Sequence, residues 1–313
     1  MNPQPPLPWQ EPKPALDDPL AAERVRAILA GASYRLAQED PALLERPDLR
    51  GMRLQLDYYK TELLLQDHGV EHTIVVFGGT RIAEPAAAQR ALQTLQARAP
   101  AAGAPARERE QHARELAVAQ RLADRSRYYG IARELGRCIA RAGGGPADTR
   151  VMVITGGGPG IMEAANRGAF DEGAKSIGLN IDLPHEQYPN PYVTPELCLR
   201  FHYFALRKLH FMLRARALVA FPGGYGTLDE LFETLTLVQT RKIDPVPVVL
   251  VGREFWERAI DFDFLVAEGV IAPQDLELFH YCEQAREAWD WIVHWHRERG
   301  RPLYPEPLPA RAP

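Results

Sequence analysis

The sequence predicts an α/β fold with a doubly wound, mainly parallel sheet and a helical N-terminal extension. Short apolar runs alternate with helical stretches along most of the chain, and this alternation is typical of βαβ units. Three of the apolar runs lead directly into glycine-rich segments, at residues 78–79, 156–160 and 223–226. Because ligands of such folds bind outside the carboxyl ends of the strands, we expect these three loops at one edge of the sheet.

The N-terminal part of the chain precedes the first strand pattern. Residues 1–20 are rich in proline and predict a disordered leader. Residues 21–70 predict a helical extension with breaks at Pro41 and Pro47. We expect residues 71–300 to form the nucleotide-binding domain and residues 301–313 to form a loose tail.

Strands and helices follow in order from the apolar periodicity. The predicted strands are 72–77, 150–155, 174–183, 197–201, 217–220, 246–252 and 276–282. The predicted helices are two stretches between 83 and 145, then 161–172, 203–216, a helix from 231, 254–268 and a Trp-rich helix around 289–295. We interpret four basic residues of the 203–216 stretch as helix-surface charges: Lys208, His210, Arg214 and Arg216.

Composition excludes several classes of protein. The formal net charge of −4 over 313 residues gives no reason to expect nucleic-acid binding. Three scattered cysteines, Cys138, Cys198 and Cys282, indicate reduced thiols and neither a disulfide framework nor a metal site. The first residues lack the pattern of a secretory signal, and no apolar run has membrane-spanning length. We therefore expect a cytoplasmic protein without a membrane partner.

The segment that carries most functional information is Phe221–Glu230, which follows a buried strand and opens a helix. Glycine has no Cβ, so Gly223, Gly224 and Gly226 leave the backbone free to turn its amides inward. The amides from Gly223 to Thr227, including that of Tyr225, can then point at one spot. The positive end of the helix dipole lies at the same place and also favours an anion. This pattern predicts a phosphate cradle. No Gly-Lys-Ser/Thr follows, so a nucleoside triphosphatase is not expected.

Glu230 has two interpretations at this stage. A carboxylate beside a phosphate site indicates a chemical role, such as general base catalysis. Thr227 and Glu230 also have the spacing of a capping box, in which Glu230 would accept from the Thr227 amide. Spacing does not decide between them.

The first glycine loop, Gly78-Gly79-Thr80-Arg81, is a second candidate phosphate or ribose contact. A tight turn with a surface arginine is the alternative.

The loop at 156–160 lacks the third glycine of the dinucleotide fingerprint, because Ile161 stands in its place. Asp182, at the end of the next strand, has the position of the acid that binds ribose in those proteins. A nicotinamide-dependent dehydrogenase is therefore an alternative reading of this chain.

Arg207 is flanked by aromatic residues one helical turn away on both sides, among them Phe204 and Phe211. We expect its guanidinium to be partly buried, and a buried guanidinium needs an anionic partner. Glu230 or a bound nucleotide would supply that partner.

Two motifs resemble those of a known family. The segments Gly-Gly-Gly-Pro-Gly-Ile-Met-Glu-Ala-Ala-Asn at 156–166 and Pro-Gly-Gly-Tyr-Gly-Thr-Leu-Asp-Glu at 222–230, with Arg207-Lys208 upstream, resemble the LOG family of cytokinin riboside 5′-monophosphate phosphoribohydrolases. The resemblance covers about residues 73–252. It implies a Rossmann-like fold and a homodimer or higher oligomer with sites near the subunit interface.

The resemblance also implies a reaction, namely hydrolysis of the N-glycosidic bond of a nucleoside 5′-monophosphate to free base and ribose 5-phosphate. Arg207 and Glu230 would be the catalytic pair, the 223–227 loop would hold the phosphate, and no cofactor is implied. The first motif adds Gly157, Gly158 and Glu163 to the predicted nucleotide-binding residues.

Two features look more like the larger bacterial branch of the family than its short plant members. Phe204-Ala205-Leu206 precedes Arg207 where the plant members carry Met-His-x, and Asp229 stands where Glu is frequent. AMP or another purine or pyrimidine monophosphate is then the expected substrate. A non-catalytic nucleotide-binding or carrier protein is the alternative, and no lysine is marked as a pyridoxal-phosphate site.

Overall fold

The computed structural model describes residues 13–101, 103–184 and 188–304. Most of the predicted leader, residues 185–187 and the tail beyond residue 304 lie outside the described residues. The chain divides into two compact units, Met1–Leu56 and Asp57–Pro313. The predicted functional division after residue 70 stays a prediction.

The first unit is helical over its described residues. Its helices are α1 (Ala21–Ala30), α2 (Pro41–Leu44) and the start of α3 (Arg50–Asp67), with short 3₁₀ helices at Ala32–Tyr34, Ala37–Glu39 and Pro47–Leu49. Pro41 and Pro47 each stand at the first position of a short helix, where the missing N–H of proline has no intrahelical partner to lose. The predicted breaks at these prolines are confirmed.

The second unit contains a seven-stranded sheet. Its strands are β1 (His72–Phe77), β2 (Val151–Thr155), β3 (Ile177–Ile181), β4 (Cys198–Phe201), β5 (Ala215–Ala220), β6 (Val248–Val251) and β7 (Phe279–Cys282). All neighbouring pairs are parallel, in the order β4-β3-β2-β1-β5-β6-β7. The chain thus builds outward from β1 to β4 and then continues from β5 on the other side of β1. This is a doubly wound, Rossmann-like sheet, as predicted, with its switch point between β1 and β5.

Helices connect the strands and cover both faces of the sheet. They are α4 (Pro85–Ala97), α5 (Ala106–Arg125), α6 (Arg127–Ala140), α7 (Ile161–Asp171), α8 (Phe204–Leu213), α9 (Tyr225–Gln239), α10 (Arg253–Ala259), α11 (Phe262–Ala267) and α12 (Ala285–Glu298). Short 3₁₀ helices lie at Pro195–Leu197 and Pro273–Leu278. No helix of the described residues has both the length and the apolar character needed to cross a membrane.

The core consists of two apolar clusters, one on each face of the sheet. Alternate residues of each strand enter different clusters: Ile74 and Val76 pack with α6, α7 and α12, whereas Val75 and Phe77 pack with α3, α8 and α9. Both sets are buried because a parallel sheet carries helices on both faces. This double burial explains why the strands are continuous apolar runs in the sequence.

The predicted helix 203–216 is too long. The helix ends at Leu213 and β5 begins at Ala215, because the Arg214 carbonyl accepts from the Thr73 amide at 2.8 Å and starts the pairing with β1. Arg214 is not a free surface charge, since its guanidinium forms an ion pair with Glu62 at 2.7 Å. His210 is buried completely, so its assignment to the helix surface is also wrong.

Two further helix boundaries differ from the prediction. The helix after β5 begins at Tyr225, six residues earlier than predicted. The predicted helix 254–268 is two helices, because the Asp261 side chain accepts from the Phe264 amide at 2.9 Å and caps a new helix, α11. Side-chain capping at Asp261 therefore overrides the apolar periodicity.

Candidate functional site

The three glycine loops meet at the carboxyl edge of the sheet, as expected. The Gly79 amide donates to the Pro222 carbonyl at 2.8 Å, and the Ile161 amide donates to the Gly79 carbonyl at 3.3 Å. A Cβ at residue 160, where φ is +76°, would lie 2.4 Å from the Gly79 carbonyl oxygen. Glycine is therefore required at 160 for the loops to touch.

A buried polar network holds the 156–160 loop. The Asn166 carboxamide oxygen accepts from the Thr155 hydroxyl at 2.7 Å and from the Asn190 amide group at 3.0 Å, and its nitrogen donates to the Ser176 hydroxyl at 3.0 Å. The Asn190 side chain also donates to the Gly158 carbonyl at 3.1 Å. Sequence reasoning missed this network, because its members are distant in the chain; Asn166 at the end of the first motif was the one available signal.

We expect Asn166→Ala to destabilise the fold by about 3 kcal/mol or more, because it leaves several buried groups without partners. Urea denaturation of the parent and the variant measures the difference. Val118→Ala, at an exposed helix position, is the control and is expected to change stability by less than about 0.5 kcal/mol. A similarly small loss for Asn166→Ala would show that the network does not support the loop.

The glycine turn after β5 is open to solvent. Gly224 and Gly226 are exposed, and Tyr225 is 92% exposed. Gly223 lies against the first turn of α9, where a Cβ at residue 223 would lie 2.1 Å from the Thr227 hydroxyl oxygen. The first amides of α9 have no acceptor within the helix, so they are available to an anion.

The start of α9 excludes the capping-box interpretation of Glu230. The N-cap is Gly224, and no side chain caps the helix. Thr227 and Glu230 both lie inside the helix, so Glu230 does not accept from a capping amide. Glu230 therefore does not act as a helix cap, and the chemical role is the interpretation that remains.

A cleft of about 440 Å³ borders the glycine turn, and its lining includes Thr80, Arg81 and the segment from Pro222 to Tyr225. Thr80 and Arg81 are exposed, so both reach the same cleft as the turn. Glu230 is not among the lining residues. It lies deeper, with only 7% of its surface exposed.

Glu230 is buried, and charges of both signs lie near it. Burial raises the pKa of Glu230 to about 7, against the opposing effects of Arg207 and Lys208. Arg207 and Glu230 do not form an ion pair among the described contacts, although each affects the pKa of the other. A carboxyl group with a pKa near neutrality is suited to proton transfer.

Arg207 is half-buried at the ends of β2 and β3. Its Nε donates to the Leu179 carbonyl at 2.8 Å, and its guanidinium lies 5.3 Å from the centre of the Phe211 ring. A Cβ at Gly156 would lie 2.5 Å from its Nη2 atom, so glycine at 156 makes room for the guanidinium. Burial lowers the pKa of Arg207, and Glu230 opposes that shift. The expectation of a partly buried arginine is confirmed.

Lys208 forms ion pairs with Asp229 at 3.0 Å and Glu233 at 3.1 Å. Burial opposes its charged form, but these two carboxylates outweigh burial and raise the pKa of Lys208. It is therefore a paired cation between α8 and α9, and the assignment to a free helix surface is wrong. Lys208 also adds positive charge close to Glu230.

Three predicted residues of the first motif are engaged within the protein. The Gly157 amide donates to the Thr155 hydroxyl at 2.9 Å, and the Gly158 carbonyl accepts from Asn190. Both glycines are buried. Glu163 accepts from the Tyr129 hydroxyl at 2.7 Å. Their nucleotide contacts stay predictions.

Asp182, the candidate ribose acid of the dehydrogenase alternative, forms an ion pair with Arg200 on β4.

Gly78 lies directly against Ile161, the first residue of α7, because a Cβ at Gly78 would lie 2.6 Å from the Ile161 side chain. Gly78 therefore supports the close approach of the loops.

Comparison with known proteins adds family information. Residues 162–292 match a family model described as "Possible lysine decarboxylase". The chain is 31% identical over 165 residues to the protein of Oryza sativa subsp. japonica named cytokinin riboside 5′-monophosphate phosphoribohydrolase LOG, covering 51% of this chain and 64% of that protein. It is 31% identical over 141 residues to LOG1 of Arabidopsis thaliana, covering 44% and 64%. In both, less than two thirds of the relative is covered.

A solved structure of the molybdenum cofactor carrier protein of Chlamydomonas reinhardtii overlaps 72% of this chain and 97% of its own, at 20% identity and a TM-score of 0.42. A likeness of this degree carries no argument about function. The range matched by the family model contains the second glycine motif and the arginine before it. The predicted resemblance to proteins of the LOG family is confirmed.

Proposed function

We propose that the protein hydrolyses the N-glycosidic bond of a nucleoside 5′-monophosphate, of the AMP or cytokinin riboside monophosphate type, to free base and ribose 5-phosphate. The observation that carries the proposal is Glu230, a buried carboxyl group with a raised pKa, one helical turn inside α9 from an exposed glycine turn. The similarity to proteins named phosphoribohydrolases supports the same reaction.

Phosphate binding comes first in the proposed mechanism. The amides of the turn from Gly223 to Thr227 hold the 5′-phosphate at the positive end of α9, and Arg81 in the same cleft adds charge. These contacts lie away from the bond that breaks. Their binding energy therefore positions the ribose without taking part in the chemistry.

The bond between C1′ and the base nitrogen breaks through an oxocarbenium-like transition state. Ionised Glu230 stabilises the positive charge that develops at C1′ and accepts a proton from the water that attacks it. The base leaves with the bonding electron pair and takes up a proton. Arg207, fixed by the Leu179 carbonyl, favours the ionised form of Glu230 by its positive charge.

We expect base release to increase with pH through about 7, because only ionised Glu230 is competent and burial sets its pKa near that value. Below that pH, kcat/KM should fall about tenfold for each pH unit. The measurement is the initial rate of base release between pH 5 and pH 9. A rate that is constant between pH 5 and pH 7 would contradict the assignment of Glu230 as the ionised group.

The test of the proposed function is direct. The protein is incubated with AMP, GMP, CMP and UMP and with a cytokinin riboside monophosphate, and free base and ribose 5-phosphate are measured by chromatography. Release of both products in equal amounts is expected for at least one nucleotide. Nucleotide binding without any base release would favour the carrier alternative, and binding of a nicotinamide cofactor would favour the dehydrogenase alternative.

We also propose a cytoplasmic homodimer or higher homo-oligomer. Exposed apolar side chains on two packed helices support the oligomer: Tyr59 and Leu63 of α3 are 55% and 53% exposed, and Leu209 and Leu213 of α8 are 41% and 46% exposed. The helices are in contact through Tyr58 and His210. An apolar patch of this kind is typical of a protein interface.

A further inference from the structure

The cleft at the glycine turn adjoins a second cleft. Arg125, at the end of α5, and Phe255, on α10, line both this cleft and a second one of about 650 Å³ between α5, α6 and α10. The two clefts therefore meet around Arg125. Arg207 and Glu230 do not line the second cleft, so it is not the space in which the sugar carbon would meet Glu230.

The second cleft is positively charged. Its lining includes four arginines, Arg121, Arg125, Arg127 and Arg258, against two acids, Asp124 and Glu254, which leaves a formal excess of two positive charges. The whole chain has a net charge of −4. A positive cleft on an acidic protein favours an anionic ligand.

Arg125 lies where the two clefts meet. Its guanidinium lies 5.2 Å from the centre of the Phe255 ring, which orients it at the junction of the two clefts. Within the part of the chain that the structure describes, Arg125 has no ion pair, whereas Arg133 on the following helix is paired with Asp171 at 2.6 Å. A guanidinium that lies against an aromatic ring and has no carboxylate partner is suited to bind a phosphoryl group.

We propose that Arg125, with Arg121 beside it, binds a second phosphoryl group, so that the joined clefts take a nucleotide carrying a diphosphate. The inference rests on the proposed function, because it assumes that the first phosphoryl group is held by the amides of Gly223–Thr227. Each of the two clefts is far larger than a single phosphate needs, and each falls in the size range of sites for whole organic ligands. The diphosphate of a nucleoside 5′-diphosphate would then reach from the amides of the glycine turn to the guanidinium of Arg125.

Calorimetric titration of the full chain tests this subsite. Phosphate and pyrophosphate are titrated into the parent protein, and AMP and ADP into the Glu230→Gln protein so that neither nucleotide is consumed. We expect pyrophosphate to bind about tenfold tighter than phosphate, and ADP about tenfold tighter than AMP. Arg125→Gln should abolish both differences while it changes AMP affinity less than about twofold.

Arg114→Gln is the matched control, because Arg114 lies on the same helix, α5, with a side chain 82% exposed, and does not line either cleft. It should leave all four affinities unchanged. Equal affinities for AMP and ADP in the presence of Arg125, or an equal loss of both on Arg125→Gln, would overturn the second subsite while leaving the proposed reaction intact. Failure of all four ligands to bind would overturn the phosphate site of the proposed function as well.

Discussion

Glu230→Gln is expected to lower kcat for base release by about a thousandfold or more while AMP still binds. The substitution keeps the size of the side chain but removes the carboxylate that stabilises C1′ and accepts the proton from water. Free base is measured by chromatography under saturating AMP, and AMP affinity is measured by calorimetry. Turnover within a factor of ten of the parent would show that Glu230 is not the catalytic carboxylate.

Stability provides the control for this variant, because an unfolded protein would also be inactive. The folded-state pKa of Glu230 is about 7, above its ordinary value of 4.5. Its ionisation therefore costs stability as pH rises from 4.5 through 7, by about 3 kcal/mol in total at higher pH. Glutamine does not ionise, so Glu230→Gln should be more stable than the parent at pH 8, and the difference should vanish near pH 4.5.

Gly223→Ala is expected to lower kcat/KM by about a hundredfold or more, through lost phosphate binding. The new methyl group would lie 2.1 Å from the Thr227 hydroxyl oxygen and 2.6 Å from its Cβ. Because Thr227 is buried in the first turn of α9, the turn must shift and its amides lose their common direction. The measurements are AMP affinity and the rate of base release.

The control for Gly223→Ala is Gly130→Ala on α6, where a Cβ would meet no atom within 4 Å. This control should keep full activity and gain up to about 1 kcal/mol of stability, because alanine favours a helix over glycine. If Gly223→Ala also kept full activity, the close contact with Thr227 would not set the geometry of the phosphate site.

The sequence by itself determined the fold class and the meeting of the three glycine loops. Continuous apolar runs such as residues 74–77 of β1 indicate burial on both faces, and that burial requires helices on both sides of a parallel sheet. The position of a loop after a strand then fixes the edge of the sheet on which it lies. These are local patterns, so one chain is enough to read them.

Only the tertiary structure decided the environment of the candidate catalytic residues. The spacing of Thr227 and Glu230 fits a capping box, but the position of the helix start at Tyr225 removes that role. The end of α8 at Leu213 was decided by pairing of the next strand with β1, where Ala215 pairs with Thr73, 142 residues earlier in the chain. The raised pKa of Glu230 and the space for Arg207 beside Gly156 likewise depend on contacts between distant segments. Burial and charge proximity are properties of the assembled fold, and local sequence patterns do not contain them.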